Sequence, residues 1–165
     1  MCSYCGCRDI TLIGQLNAEH DAIVNASGPL QRAVDAGDTA AALELLDVLE
    51  GLLHPHTALE ERGLFTELRR DPDFTDHVDA LCREHDDLDA GFAACRGGDW
   101  SGLTDLLFLL REHIEKEENG LFPAALTSLD GEQWERLHTD PAVGAHDHDH
   151  SHSHDHSHHH AHAHG

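Results

Sequence analysis

Two stretches of the chain repeat each other, "HTALEERGLF" at residues 56–65 and "HIEKEENGLF" at residues 113–122. Six of the ten aligned positions are identical, and they comprise one histidine, two adjacent glutamates and the run Gly-Leu-Phe. The histidine and the first glutamate stand four residues apart, so on a helix they share one face. The repeat therefore places a histidine and a carboxylate side by side at two points in the chain.

The repeat extends to earlier segments that occur in the same order. "LNAEHDAI" (16–23) and "LCREHDDL" (81–88) share a leucine followed by Glu-His-Asp, and "AGD" (36–38) and "GGD" (97–99) come next. The chain thus contains two copies of one unit of about sixty residues. Two copies in one order favour a shared role over coincidence.

Apolar residues recur at helical spacing through most of the chain, and the alternating β-branched and aromatic runs of strands are missing. These patterns predict an all-α fold. The four main helices are expected to cover residues 9–36, 38–70, 74–96 and 99–118. Short connections make neighbouring helices antiparallel, so the expected architecture is an up-down-up-down four-helix bundle.

Several residues predict where these helices begin and end. Asp38 and Asp99 each follow a glycine and precede an apolar-periodic segment, as N-cap residues do. The pair Gly28-Pro29 is expected to kink or end its helix, and Pro55 to kink its helix, because proline lacks the amide donor. After Pro123, "LDGEQWERLH" is expected to add a short fifth helix.

Polar side chains occupy core positions in all four predicted helices. Two helices place a histidine within an apolar series, and the other two replace two apolar positions with a histidine and a glutamate. The inward series are Ile13, Leu16, His20 and Ile23; Leu49, Leu52, His56 and Glu60; Val78, Leu81, His85, Leu88 and Phe92; and Leu106, Leu110, His113 and Glu117. Buried polar groups without partners are strongly destabilising, and coordination of a metal would satisfy them.

A metal of intermediate hardness fits this set of side chains. Imidazole and carboxylate without thiolate favour iron, manganese or zinc. A single inward histidine is usually a hydrogen-bonded core residue, but six inward polar residues in two matching sets favour coordination. Four acidic residues flank the inward histidines and either accept hydrogen bonds from the imidazoles or are surface charges. They are Glu19, Glu84, Asp21 and Asp86.

The order His, His-x-x-x-Glu, His, His-x-x-x-Glu resembles the hemerythrin family, specifically its HHE cation-binding branch. The matching residues are His20, His56, Glu60, His85, His113 and Glu117. The resemblance covers most of residues 9–138, and "EENGLFP" (117–123) resembles the end of the family's fourth helix. It implies a four-helix bundle around a non-heme di-iron centre, in which Glu60 and Glu117 bridge the metals and the histidines are terminal ligands.

The chain departs from the oxygen-carrying hemerythrins at two places. Those proteins have a fifth histidine four residues after the third, where this chain has Asp89, and they end with His-x-x-x-x-Asp rather than His-x-x-x-Glu. Of about twelve coordination positions on two six-coordinate metals, about two would stay open unless Asp89 is an additional ligand. Open positions favour redox chemistry or exogenous ligands over simple oxygen carriage.

The expected function is therefore that of a non-heme di-iron protein that binds or reduces O₂, peroxide or nitric oxide. It would serve as a sensor or in protection against oxidative or nitrosative stress. One alternative is a di-iron oxygenase acting on an organic substrate. Another is a metal store or chaperone, and the sequence leaves open whether the protein is an enzyme.

The two ends of the chain carry further metal-binding side chains. Within residues 1–8, Cys2, Cys5 and Cys7 could chelate zinc, iron or copper(I), cycle as a redox pair, or belong to an unstructured end. Residues 141–165 hold 11 of the 18 histidines, and no large apolar residue follows position 145, which predicts a disordered tail that binds zinc, nickel or copper. An added affinity sequence is the alternative origin of the tail. Residues 9–140 would then form the bundle.

Charge and hydropathy exclude several classes of partner. A formal net charge of −22 disfavours binding to nucleic acid or to anionic lipid, which both require clustered basic residues. No apolar run approaches the length of a membrane span, and the first residues lack the basic and apolar regions of a signal peptide. The sequence therefore predicts a cytoplasmic location.

Overall fold

Helices make up nearly all of the chain that the structure describes. The computed structural model describes residues 7–139, with side chains from residue 12 onward. The elements are α1 (Cys7–Asp35), α2 (Thr39–Arg62), α3 (Leu64–Leu68), α4 (Pro72–Arg96), α5 (Leu103–Lys116), a π-helical turn (Glu117–Leu121), α6 (Phe122–Ser128) and α7 (Gly131–Thr139). Residues 7–139 contain no strand, so the all-α prediction is confirmed for them. The expected fifth helix after Pro123 is α7, preceded by the short α6.

The four long helices pack in a ring. Helix α1 packs against α2 and α5, and α4 packs against the same two helices. Short turns join α1 to α2 and α4 to α5, which folds each of these pairs back on itself. The result is a helical bundle with the neighbour contacts that an up-down-up-down order would make.

Both repeat units turn at a glycine in the left-handed region. Gly37 has φ +71° and Gly98 has φ +98°. Residues with a Cβ rarely adopt this conformation, so glycine is the residue that lets each helix stop and reverse direction. The shared Gly-Asp dipeptide in the sequence is thus explained by the backbone of the turn.

The two aspartates that follow these glycines differ in role. The Asp38 side chain accepts a hydrogen bond from the Ala41 amide and caps α2, as predicted. The Asp99 side chain accepts hydrogen bonds from the amide and hydroxyl of Ser101, and α5 begins only at Leu103. The N-cap prediction for Asp99 is therefore wrong, because its carboxylate closes a local turn instead.

Helix boundaries also differ from the sequence-based expectation. Pro29 does not end its helix, since α1 continues through it, and Pro55 also lies inside a continuous helix, α2. Tertiary packing of these long helices outweighs the single backbone hydrogen bond that each proline removes. The second expected helix is instead divided at Gly63, and the fourth passes into the π-helical turn.

The inward series are buried as predicted, with one exception. Leu52 is 37% exposed, whereas Leu53 is 2% exposed and takes the core position on α2. A period of 3.6 residues admits either neighbour, and Leu53 is the one that packs among the buried apolar side chains of the neighbouring helices. The prediction for Leu52 is therefore wrong by one residue.

The buried apolar side chains form two clusters. The first, called the Phe cluster, comprises Leu12, Ile13, Leu16, Leu59, Leu64, Phe65, Leu68, Val78, Leu81, Leu121, Phe122, Ala125, Trp134 and Leu137. The second, called the Leu cluster, comprises Ile23, Leu30, Ala42, Leu46, Leu49, Leu53, Leu88, Phe92, Cys95, Leu103, Leu106, Leu107, Leu110 and Ile114. Along α1, His20 lies between Leu16 of one cluster and Ile23 of the other.

Within residues 7–139, no helix is both long and apolar enough to cross a membrane.

A partly buried ion pair attaches α7 to the bundle. Glu67 on α3 accepts hydrogen bonds from Nε and Nη2 of Arg136 on α7, each at 3.0 Å. Arg70 donates a third, at 3.1 Å. The hydrogen bonds from Arg136 lower the pKa of Glu67, outweighing its burial, which would raise it. The carboxylate is therefore ionised in the folded protein and holds α7 over the Phe cluster.

We expect Glu67→Gln to lower the free energy of unfolding by about 1 kcal/mol at pH 7, because Arg136 is half-exposed and its pairing is partly screened. The pKa of Glu67 is lowered on folding, so its contribution is complete above its ordinary value of 4.5 and disappears as pH falls through the folded value. Thermal denaturation at pH 7 and at pH 3 measures this. Glu112→Gln, at an exposed position on α5, is the control; an equal loss at both pH values would contradict the assignment.

Candidate metal centre

Six polar side chains meet between the two apolar clusters. They are His20 on α1, His56 and Glu60 on α2, His85 on α4, His113 on α5 and Glu117 in the π-helical turn. Each is at most 4% exposed. These are the six residues that the sequence selected as candidate ligands, and the structure brings all of them together.

The six side chains fall into two groups that could each hold one metal ion. The first position comprises His20, His56, Glu60 and Glu117, and the second comprises Glu60, His85, His113 and Glu117. Within each group, the candidate ligand atoms all lie within 4.8 Å of one another. The two glutamates are common to both positions, whereas each histidine belongs to one.

The carboxylates of the two shared glutamates each turn one oxygen to each position. Glu60 Oε1 lies 3.2 Å from His56 Nε2, and Glu60 Oε2 lies 3.5 Å from His85 Nε2. Glu117 Oε2 lies 3.1 Å from His20 Nε2, and Glu117 Oε1 lies 3.2 Å from His113 Nε2. This orientation is the one a carboxylate takes when it bridges two metal ions.

A second carboxylate faces the outer nitrogen of every histidine. The Nδ1-to-oxygen pairs are His20 with Glu118 (2.9 Å), His56 with Glu19 (2.7 Å), His85 with Glu61 (2.7 Å) and His113 with Glu84 (2.8 Å). A carboxylate at this distance favours the proton on Nδ1, which then donates to it. The lone pair of Nε2 is left pointing into the centre, as a metal ligand requires.

Two phenylalanines stack on histidines from opposite halves of the chain. Phe122 stacks on His20, with ring centroids 5.6 Å apart and planes 7° from parallel. Phe65 stacks on His85, at 5.8 Å and 11°. The segment that supplies each phenylalanine also supplies the glutamate on the same imidazole. Each repeated Glu-Glu-x-Gly-Leu-Phe therefore holds a histidine of the other repeat unit between a carboxylate and a phenyl ring.

A break in regular α-helix lets Glu60 and Glu117, the candidate ligands five positions before Phe65 and Phe122, face the centre together with these phenylalanines. On a helix turning about 100° per residue, a phenylalanine five positions after a glutamate lies about 140° away from it around the axis. The interruption at Gly63 and the π-helical turn Glu117–Leu121 both change this phase. Phe65 and Phe122 consequently point inward together with the preceding glutamates. Single π-helical turns within helices occur frequently at functional sites.

The four flanking acidic residues proposed from sequence divide into two kinds. Glu19 and Glu84 do accept hydrogen bonds from candidate ligands, but from the histidine of a neighbouring helix rather than from the adjacent one. Asp21 and Asp86 are exposed, so for them the alternative of a surface charge is correct. Sequence reasoning missed Glu61 and Glu118 as acceptors. Their repetition directly after the ligand glutamates was the available signal.

The carboxylates of the centre favour positive charge at three of the imidazoles. Burial alone would lower the pKa of His56, but the hydrogen bond with Glu19 and the proximity of Glu60 and Glu117 outweigh it and raise the pKa to about 10. The pKa values of His85 and His113 are also raised against the effect of burial, by the surrounding glutamates.

Glu117 responds in the opposite sense. Burial would raise the pKa of its carboxyl, but the close imidazoles of His113 and His20 lower the pKa to about 2. The carboxylates thus favour positive charge in the centre, which a bound cation would supply.

Unpartnered atoms test whether the residues fit a metal. His20 Nε2, His56 Nε2 and all four carboxylate oxygens of Glu60 and Glu117 are buried without a hydrogen-bond partner. Although His56 Nε2 lies close to Glu60 Oε1, the pair lacks hydrogen-bond geometry. Each buried polar atom of this kind costs about 1–3 kcal/mol when nothing satisfies it. A metal ion at each position would satisfy all six.

The remaining two ligand nitrogens give a separate indication. His85 Nε2 and His113 Nε2 lie 2.9 Å apart. With both Nδ1 protons directed at carboxylates, two lone pairs would face each other across this distance, and a cation bound by both removes the repulsion. Four imidazoles and two carboxylates without thiolate form a donor set suited to iron, manganese or zinc.

Other candidate ligands stay outside the two positions. Asp89 is 59% exposed and its carboxylate lies 3.5 Å from Nε2 of His54 on the surface, so the structure does not bring it into the centre. Cys2 and Cys5 lie outside the described residues, as does the His-rich tail. Cys7 begins α1, but its side chain also lies outside the described part of the chain.

Comparison with known proteins gives one finding. The family model of the hemerythrin HHE cation-binding domain matches residues 11–125, a span that contains all six residues of the centre. No individual curated protein and no solved structure matches the chain in the corresponding comparisons.

Proposed function

This chain belongs to the hemerythrin HHE cation-binding family, and on that premise we propose that it is a cytoplasmic non-heme di-iron protein. In this proposal it binds or reduces O₂, peroxide or nitric oxide, in sensing or in protection against oxidative or nitrosative stress. His20, His56, His85 and His113 would be terminal ligands of the metal ions inside an up-down-up-down bundle. Glu60 and Glu117 would bridge the metals.

The orientation of the two shared carboxylates carries the proposal. Glu60 and Glu117 each present one oxygen to either position, and all four oxygens are buried without a hydrogen-bond partner. A site for one ion would leave some of these oxygens unsatisfied, at a considerable cost in free energy. Two ions, one at each position, account for every ligand atom.

Iron is proposed over manganese and zinc because its redox chemistry can use the coordination positions that the protein side chains leave open. Four histidines and two bridging carboxylates leave about two positions open even with a bridging oxygen atom, and Asp89 on the surface does not fill one. When bound, iron would supply one-electron exchange and open positions for a small ligand. The apolar clusters above and below would exclude bulk water from that ligand.

The side chains around the ligands contribute orientation and proton control. Each Nδ1 hydrogen bond to a carboxylate fixes the tautomer and ring plane of one imidazole. Three of these carboxylates, Glu19, Glu61 and Glu118, are about one-third exposed or more, so they connect the buried ring to solvent. They could thereby pass protons between the centre and bulk water when the charge of the centre changes.

A metal store or chaperone is the second candidate, favoured by the histidines of residues 141–165. Eleven imidazoles in a short segment could bind zinc, nickel or copper ions loosely and with an affinity that falls as pH drops through about 6.5. In that case the tail would collect ions and the bundle would keep them. The number of ions per chain separates this function from the first.

We expect the purified protein to contain about two irons per chain and to show a charge-transfer band that changes when H₂O₂ or O₂ is added without any organic substrate. Elemental analysis and an optical spectrum, measured on the full chain and on a chain ending at Asp140, test this. The shorter chain serves as the control for ions held by the tail. Both proteins should hold the two irons, because all six ligands precede residue 140.

Different results would select the other functions. Many ions per full chain, most of them lost on truncation, would favour the store or chaperone. Consumption of O₂ only in the presence of an organic substrate would favour an oxygenase. Zinc in the centre, or no stoichiometric metal in the truncated protein, would contradict the redox di-iron proposal.

A further inference from the structure

The one lysine of the chain is linked to the candidate metal centre by a single carboxylate, which contacts both the lysine and a histidine of the centre. Lys116 Nζ on α5 donates a hydrogen bond to Glu84 Oε1 on α4. The other oxygen of Glu84 lies 2.8 Å from Nδ1 of His113, a candidate ligand of the second position. Glu84 therefore receives a cation on one oxygen and a ligand imidazole on the other.

The lysine is absent from the pattern that the two repeat units share. In the aligned stretches, Lys116 corresponds to Leu59, which is buried in the Phe cluster. Packing of the repeat unit therefore does not require a lysine at this position. Its presence in the second copy needs an explanation of its own.

A cation bound to Glu84 weakens the effect of that carboxylate on the metal-binding strength of His113. A carboxylate that accepts a hydrogen bond from Nδ1 makes Nε2 of the imidazole a stronger electron-pair donor to a metal. The Lys116 ammonium draws electron density from Glu84 and so reduces this effect. Its positive charge also disfavours a highly charged metal ion nearby. Both effects weaken the binding of a metal ion at the second position.

Glu84 is partly shielded from solvent where it meets the lysine. Its side chain is 19% exposed, whereas that of Glu61, the corresponding acceptor for His85, is 42% exposed. The charge of the lysine is therefore only partly screened by water where it meets the carboxylate.

Resting on the two-metal function proposed above, we propose that Lys116 is a positioning residue that acts through Glu84 on His113. It makes the metal at the second position easier to reduce and easier to remove than it would be without the lysine.

A purely structural role predicts the opposite sign. If Lys116 only tied α5 to α4, removing it would loosen Glu84 and His113 and would weaken metal binding. If it acts by charge, removing it strengthens donation from His113, tightens metal binding and lowers the reduction potential. The direction of the change therefore separates the two roles.

The test uses four full-length variants: Lys116→Met, Glu84→Gln, the double variant and Arg111→Met. Arg111 is exposed on the same helix, so its replacement removes an equal charge away from Glu84. Metal-free protein is titrated with Co²⁺ against a competing chelator, and the midpoint potential of the iron-loaded protein is measured. The His-rich tail is common to all the proteins and cancels in the comparison.

We expect Lys116→Met to tighten the weaker of the two Co²⁺ affinities about threefold to tenfold and to lower the midpoint potential by up to about 59 mV, the one-electron equivalent of tenfold. Glu84→Gln should weaken that affinity about tenfold to hundredfold. The double variant should resemble Glu84→Gln, because the lysine acts through the carboxylate. Arg111→Met should change neither quantity.

Weaker binding in Lys116→Met, or an effect equal to that of Arg111→Met, would overturn the inference while leaving the two-metal function intact. An undiminished effect of Lys116→Met in the Glu84→Gln background would also overturn the route through Glu84. If the unmodified chain ending at Asp140 failed to take up two ions, the two-metal function would fall, and this inference with it.

Discussion

Glu60→Gln is expected to remove both metal ions from the protein, whereas His56→Ala is expected to weaken binding mainly at the first position. The oxygens of Glu60 face His56 at one position and His85 at the other, so a single carboxylate serves both. A neutral amide has one oxygen and no charge to offer two cations. We expect metal affinity to fall by more than the hundredfold that loss of an outer hydrogen-bond partner typically causes.

Elemental analysis of Glu60→Gln, His56→Ala and the control Glu44→Gln checks this expectation. Glu44 is exposed on the same helix, so its replacement alters charge without altering the centre. His56→Ala should hold less than two irons per chain, and Glu60→Gln should hold close to none. Retention of two irons by Glu60→Gln would be incompatible with a bridging role for this carboxylate.

Removal of metal is expected to lower the midpoint temperature of unfolding by about 10 °C or more at pH 7.5. One site saturated at about 1,000 times its dissociation constant stabilises the folded state by about 4 kcal/mol, and each kcal/mol shifts the midpoint by about 2–4 °C at this chain length. Calorimetry of loaded and chelator-treated protein measures the difference. Glu60→Gln treated in the same way is the control and should show little change.

The same difference should grow with pH. The pKa of His56 in the metal-free protein is raised from 6.5 to about 10, so its favourable charge interactions are complete below pH 6.5 and disappear as pH rises through about 10. Metal binding needs the neutral ring and releases protons, so metal affinity rises over the same range. The gap between loaded and metal-free protein should therefore widen from pH 6 to pH 9. A gap independent of pH would contradict ligation by these histidines.

Much of the centre could be predicted because its ligands obey helical periodicity. His20 and His85 occupy positions that apolar residues would otherwise fill, and the spacing of four between His56 and Glu60 is readable from sequence alone. The duplication places the same pair of side chains at equivalent positions in both repeat units. For these residues, position along one helix was sufficient to predict burial.

The partners of the outer imidazole nitrogens could not be predicted in the same way. Glu19 holds His56 and Glu61 holds His85, so each contact joins two helices. Periodicity states which side of its own helix a residue occupies, but not which side chain of another helix it meets. The choice of Leu53 over Leu52 was likewise decided by packing against two neighbouring helices.

The sequence by itself determined the all-helical fold, the glycine turns and the identity of six buried polar residues, because each depends on local propensity or on the period of one helix. Only the tertiary structure decided that each repeated Glu-Glu-x-Gly-Leu-Phe grips a histidine of the other repeat unit, with Glu118 and Phe122 on His20. That exchange depends on the relative rotation of packed helices, and local breaks in α-helical phase let the candidate ligands Glu60 and Glu117 face inward with Phe65 and Phe122. Neither is encoded by the spacing of residues within a single helix.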